Sequence, residues 1–227
     1  MVDGYIKSSI KKSANINRLL YNSIPIIIKD PIDDKIDLDI VVKKVEQFLP
    51  VQLTSGVDSI YIGHFDILFD RELNALYQDG AIYVTNIQDD EKDIIDDIVH
   101  EFAHATEDIH GRVLYSDNLI EEEFLGKRNR LCHIIDGLIP QGENFPINSY
   151  LNPEYDVEFD QFLYKDIGYP VLRSAIGGLF YSPYAVTSLK EYFANGFEAY
   201  FLHKDINYMK KISPHLHSKL EQLTYEG

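Results

Sequence analysis

The chain has 227 residues, 45 % of them hydrophobic and 12 % aromatic, which is enough apolar material for a sizeable core and too much for global disorder. Its 37 acidic and 21 basic residues leave a net charge of −16, which excludes nucleic-acid binding as the main task, because phosphate contacts need clustered Lys and Arg. The single cysteine, Cys132, excludes an intramolecular disulfide framework and is expected to be a buried thiol.

Residues 1–22 carry Lys7, Lys11, Lys12 and Arg18 and few acids, which suits an N-terminal arm or a first helix. No signal-type apolar region is present, and "IPIII" at 24–28 is too short to span a membrane. The expectation is a cytoplasmic protein with no membrane partner. "IPIIIKD" at 24–30 predicts a buried strand, and the apolar spacing of 36–50 predicts a helix stopped by Pro50. Residues 58–69, rich in Ile, Tyr and Phe, predict a strand. In "LNALYQDGAIYVTN" at 73–86, Asp79 and Gly80 supply a tight turn between two alternating runs, predicting a hairpin.

"DDIVHEFAHATEDIHG" at 96–111 follows. Asp89 or Asp90 caps the predicted helix, and Asp93 sits at the positive end of its dipole. Ile94, Ile95, Ile98, Val99, Phe102 and Ile109 form its apolar stripe, and Gly111 is its natural stop. Residues 112–180 mix helical stretches with a Pro- and Asn-rich loop, and 188–204 predicts a strong helix. No internal repeat or low-complexity segment is evident.

His100, Glu101 and His104 stand in the order His-Glu-x-x-His. On a helix, positions four apart share a face, so both imidazoles can reach one metal ion. Zinc lowers the pKa of a bound water towards neutrality, and Glu101, beside the first ligand, can take its proton. This is the chemistry of peptide hydrolysis. A third protein ligand is needed, and the sequence offers several candidates. His110 has the ligand spacing of the metzincins. That family, however, breaks the helix with a glycine where this chain has Glu107, and it carries a later methionine turn not evident here. Asp108, four residues past His104, reaches the metal only if the helix bends, so a supporting role is more natural for it.

The other candidates lie on the late helix. Glu191-Tyr192-Phe193-Ala194, with Tyr184 seven residues before Glu191, resembles the gluzincin zinc metallopeptidases, and more narrowly the group of anthrax lethal factor and the Pro-Pro endopeptidases. The resemblance covers about 81–110 and 181–202. It implies Glu191 as third zinc ligand and Tyr184 as the hydroxyl that stabilises the oxyanion. Glu198 shares the helix face and is a rival ligand. "SLKE" also fits a capping box with Ser188 as N-cap, which gives Glu191 a structural alternative. Family members carry an acid four residues after the ligand glutamate; here it is Asn195, whose amide oxygen can accept an imidazole N–H from outside the ligand shell.

The expected fold is therefore α+β, a zincin-like domain over 23–227 with a small mixed sheet, a motif helix, a helical C-terminal part and an insertion around 112–180. "AIYVTN" at 81–86 is the expected edge strand for an extended protein or peptide substrate. The expected activity is that of a zinc metalloendopeptidase. The alternatives are a structural or assembly protein on the same scaffold, docking a partner through its arm or its insertion, and a zinc hydrolase acting on another amide.

Overall fold

The computed structural model describes residues 18–138 and 146–225. The basic segment 1–17 of the expected arm lies outside them, and Arg18–Leu20, expected to end that arm, is strand β1. The chain is α+β and divides into two compact units, Met1–Ala105 and Thr106–Gly227.

The first unit holds a mixed five-stranded sheet of order β1-β2-β3-β5-β4. Strand β2, Ile24–Ile28, is antiparallel to β1 and parallel to β3, Ser59–Gly63. Strand β5, Ala81–Thr85, runs parallel to β3, while β4, Ala75–Gln78, returns antiparallel along β5. The predicted hairpin turn is present: Asp79 and Gly80 have φ of 50° and 81°, the two left-handed positions that a two-residue type I′ turn requires. Alternation buries Ile26, Ile60, Ile62, Ile82 and Val84. Helix α1, Leu38–Phe48, is capped by the Asp37 side chain, which accepts from Asp39 N, and adds Val41 and Val45 to this core. Four expectations are corrected here. The strand predicted over 58–69 ends at Gly63, and Asp66–Asp70 forms a short helix, α2. The edge strand is β4, because β5 is paired on both sides. The motif helix, α3, runs Glu91–Tyr115 and passes straight through Gly111. Ile109, expected in the apolar stripe of this helix, faces solvent at 55 % exposure.

In the second unit, α4, Leu119–Asp136, buries Ile120, Phe124, Leu131 and Ile135. Val157–Gln161 is α5, followed by a π-helical turn and by α6, Tyr169–Ala175. Helix α7, Leu189–Phe201, is the predicted late helix, and α8, Ile206–Ile212, and α9, Pro214–Tyr225, follow it. Residues 112–180, the expected insertion, contribute helices to the core of this unit. The ring of Phe124 lies 5.4 Å from that of Tyr192 on α7, so α4 shares a core with the late helix. Arg128, fully buried, donates to the carbonyls of Asn152 and, at 3.0 Å, Ser149, and stacks over Phe159. Cys132 is buried, as expected. No described helix is long and apolar enough to cross a membrane.

Two helical glycines in this unit have opposite surroundings. A Cβ at Gly111 meets nothing within 4 Å, whereas one at Gly196 meets Leu216 Cδ2 at 2.3 Å and Cγ at 3.1 Å, both on a fully buried side chain. Gly111→Ala is therefore expected to stabilise by about 0.5–1 kcal/mol through helix propensity. Gly196→Ala is expected to destabilise by about 1–3 kcal/mol through overpacking. Urea denaturation of the two variants checks the sign of each.

Candidate metal centre

The start of α3 follows from its acids. Asp90 Oδ1 accepts from Lys92 N at 2.8 Å and Asp93 N at 3.1 Å, and Asp93 Oδ2 accepts from Asp89 N at 3.2 Å. These bonds satisfy N–H groups that a helix start leaves open. Ile94, Ile98, Val99 and Phe102 are buried, and that stripe fixes the rotation of the helix. His100 and His104 are then half-buried, while Glu101 is only 6 % exposed.

The Nε2 atoms of His100 and His104 lie 3.2 Å apart, with the rings at 77° to each other. Two nitrogens each bound to one tetrahedral zinc stand about 3.3–3.4 Å apart. The pair is therefore spaced to share an ion. The ligand atoms of His100, His104 and Glu191 all lie within 4.8 Å of one another, and this is the one such group of His, Cys, Asp or Glu among the described residues. The donor set, two imidazoles and a carboxylate, is one that zinc accepts.

Glu101 Oε2 accepts a 2.5 Å hydrogen bond from the backbone N–H of Tyr77. That N–H points away from β5, so the edge strand itself anchors the carboxylate. Sequence reasoning missed this contact, because a backbone donor leaves no trace in residue type. It also missed Asp97, one turn before Glu101, whose Oδ2 accepts from Gln88 Nε2 at 2.8 Å. Helical spacing from the motif was the available signal. Burial pushes the Asp97 carboxyl up to about 6; the Gln88 bond opposes this, and the charge of Glu101 adds to it.

Between pH near 3.8 and about 6 the folded chain thus holds a proton on Asp97 that the unfolded chain releases. Stability falls as pH rises through that window. Asp97→Asn is expected to remove this dependence and to stabilise the metal-free protein at pH 7 by roughly 3 kcal/mol. Urea midpoints at pH 4 and pH 7 check it, and an unchanged pH slope refutes it.

On α7, the Ser188 hydroxyl accepts from Glu191 N at 3.2 Å, so the N-cap predicted from "SLKE" forms. It uses the backbone of Glu191, and the Glu191 carboxylate belongs to the cluster. Tyr184 opens a 3-10 turn, Tyr184–Val186, and is half-buried. That turn is tied to α7: Ser182 Oγ donates to Asn195 Oδ1 at 2.5 Å and accepts from Ala185 N at 3.2 Å, while Asn195 Nδ2 donates to the Glu191 carbonyl at 3.0 Å. Asn195, expected from the sequence to accept an imidazole N–H, engages its amide with Ser182 Oγ and the Glu191 carbonyl and so holds the Tyr184 turn. Asp108 is exposed, and it too is outside the cluster.

His110 and Glu198 are likewise outside the cluster. The unbroken α3 explains the first: Glu107, which replaces the glycine of the metzincins, is buried in mid-helix and accepts the Tyr115 hydroxyl, so the chain never turns back. Helical rise explains the second, since seven residues separate Glu198 from Glu191 by about 10 Å along the axis.

Compared with protein-family models, curated proteins and solved structures, the chain matches none of them.

Proposed function

We propose that this chain is a zinc-dependent metallopeptidase on a zincin-like fold, with His100, His104 and Glu191 as metal ligands. The observation that carries the reading is the convergence of the two His-Glu-x-x-His imidazoles with one glutamate of a later helix. When bound, zinc supplies Lewis acidity that polarises a scissile carbonyl and acidifies a water. Glu101, held at one oxygen by Tyr77 N–H, takes the proton of the attacking water and returns it to the leaving amine. The Tyr184 hydroxyl donates to the developing oxyanion. Strand β4 is the sheet edge, and Ala75, two residues before Tyr77, presents its main chain on the same outer side, where an extended peptide can add by strand pairing.

A second reading, an assembly protein, is favoured by one observation. Ile147, Leu151, Tyr155, Val157 and Tyr164 are each more than 50 % exposed within a short span of the second unit. The experiment that separates the readings is incubation of the zinc-loaded protein with a mixture of unstructured peptides, followed by mass spectrometry. Cleavage at a recurring sequence, abolished by a chelator, supports the peptidase. A protein that loads zinc and cleaves no peptide overturns it and favours assembly or another amide substrate.

A further inference from the structure

A second site lies in the second unit and is independent of the zinc chemistry. We propose that the groove bounded by α4, the end of α8 and the start of α9 binds a small phosphate monoester through Lys127, Arg130 and Lys211. The groove, open to solvent, offers about 400 Å³, a small-molecule size, and Leu119 and Ile212 give its wall an apolar part for an organic group.

The cations are the first observation. In a chain of net charge −16, three of them face one groove. Lys127 is only 6 % exposed yet lines it. Its ammonium donates to the Tyr192 hydroxyl at 2.7 Å and to Ser213 Oγ at 2.6 Å and packs over the rings of Tyr192 and Phe180, so two of its three N–H bonds are committed within the protein. Arg130, one helical turn on, shares the face of Lys127. Neither Arg130 nor Lys211 forms an ion pair with another described residue. Burial pushes the Lys127 amine down to about 8; the Glu123 carboxylate opposes this, and repulsion from Arg130 adds to it. A bound dianion relieves that repulsion.

Two acids, Glu122 and Glu123, line the groove beside the three cations. Glu123 is committed elsewhere: it accepts from the Tyr192 hydroxyl at 2.8 Å, His215 N at 2.8 Å and Leu216 N at 3.2 Å. Its carboxylate thus sits at the N-terminus of α9, where the helix dipole favours an anion. Glu122 is the other acid of the lining, so cations remain in excess.

Gly126 is the second observation. It lies in the interior of α4, where glycine costs about 0.5–1 kcal/mol relative to alanine. A Cβ there meets nothing within 4 Å, so no packing contact demands glycine. It lines the groove, where a large side chain would project into the open space. A guanidinium and two ammonium groups suit the several oxygens of a phosphate better than the two of a carboxylate.

The test is titration of metal-free, isotope-labelled protein with phenyl phosphate, followed by amide NMR shifts. The expected result is saturable shifts in α4, α8 and α9, at least about tenfold weaker binding in Arg130→Gln/Lys211→Gln, and loss of binding in Gly126→Leu with an unchanged circular dichroism spectrum. Both variants alter exposed positions, so the fold is retained for comparison. Absence of saturable shifts, or equal affinity in the double variant, overturns the proposal. No zinc or peptide is present, so the outcome does not depend on the peptidase reading.

Discussion

Zinc at about one ion per chain is the expected content of the native protein after dialysis, unchanged in His110→Ala and Glu198→Ala and lost in Glu191→Ala. Three protein ligands leave a fourth position open, and removing one of three is expected to weaken retention by at least about a hundredfold, beyond what loss of a merely supporting group does. The variants are well matched. The Ser188 cap takes its hydrogen bond from the backbone of Glu191, so Glu191→Ala leaves the start of α7 intact. His110 lies on the same continuous helix as His100 and His104 but outside their cluster. Elemental analysis of the four proteins decides the matter. Zinc kept in Glu191→Ala removes that residue from the ligand set, and zinc lost in His110→Ala restores the metzincin-like alternative.

The second large effect concerns the proton. Glu101→Gln is expected to keep its zinc and to lose peptide hydrolysis by on the order of 10²–10⁴-fold in kcat. The amide is isosteric, and its oxygen still accepts from Tyr77 N–H, so the anchor to β4 survives. Only the capacity to take a proton is removed, and KM is expected to hold while kcat falls. Tyr184→Phe is expected to cost about 10²–10³-fold, again in kcat, because the lost donor acts on charge that develops during the reaction. Steady-state kinetics on a cleaved peptide read both. An active Glu101→Gln enzyme would falsify the general-base assignment, and a Tyr184→Phe enzyme with native kcat would leave the oxyanion to other donors.

The elements with strong local periodicity were legible in the sequence. The hairpin over 73–86 was announced by Asp79 and Gly80, and α3 by its apolar stripe and acidic cap, because turn chemistry and helix caps act within a few residues. The ends were less legible. Gly111 reads as a stop, yet α3 continues to Tyr115, because burial of Leu114 and the Glu107 to Tyr115 bond outweigh a glycine's propensity cost. The strand predicted over 58–69 breaks at Gly63, where a Cβ would meet Lys29 Cβ at 2.8 Å and Asp30 Oδ2 at 2.9 Å, groups of a distant segment that no local pattern announces.

By itself the sequence determined what one helix can do. Spacing of four puts His100 and His104 on one side of α3, with Glu101 beside them, wherever that helix packs. It also determined that Ser188 starts α7. What tertiary structure alone decided was the choice among distant partners. Glu191 is the carboxylate grouped with the two histidines among the described residues; Asn195 holds the Tyr184 turn through Ser182; β4, and not β5, is the edge. Each of these depends on residues beyond the reach of one turn or one helical cap. Local propensity carries no information about that, because the selecting free energy comes from burying side chains distant in sequence together, as with Phe124 and Tyr192, whose rings lie 5.4 Å apart.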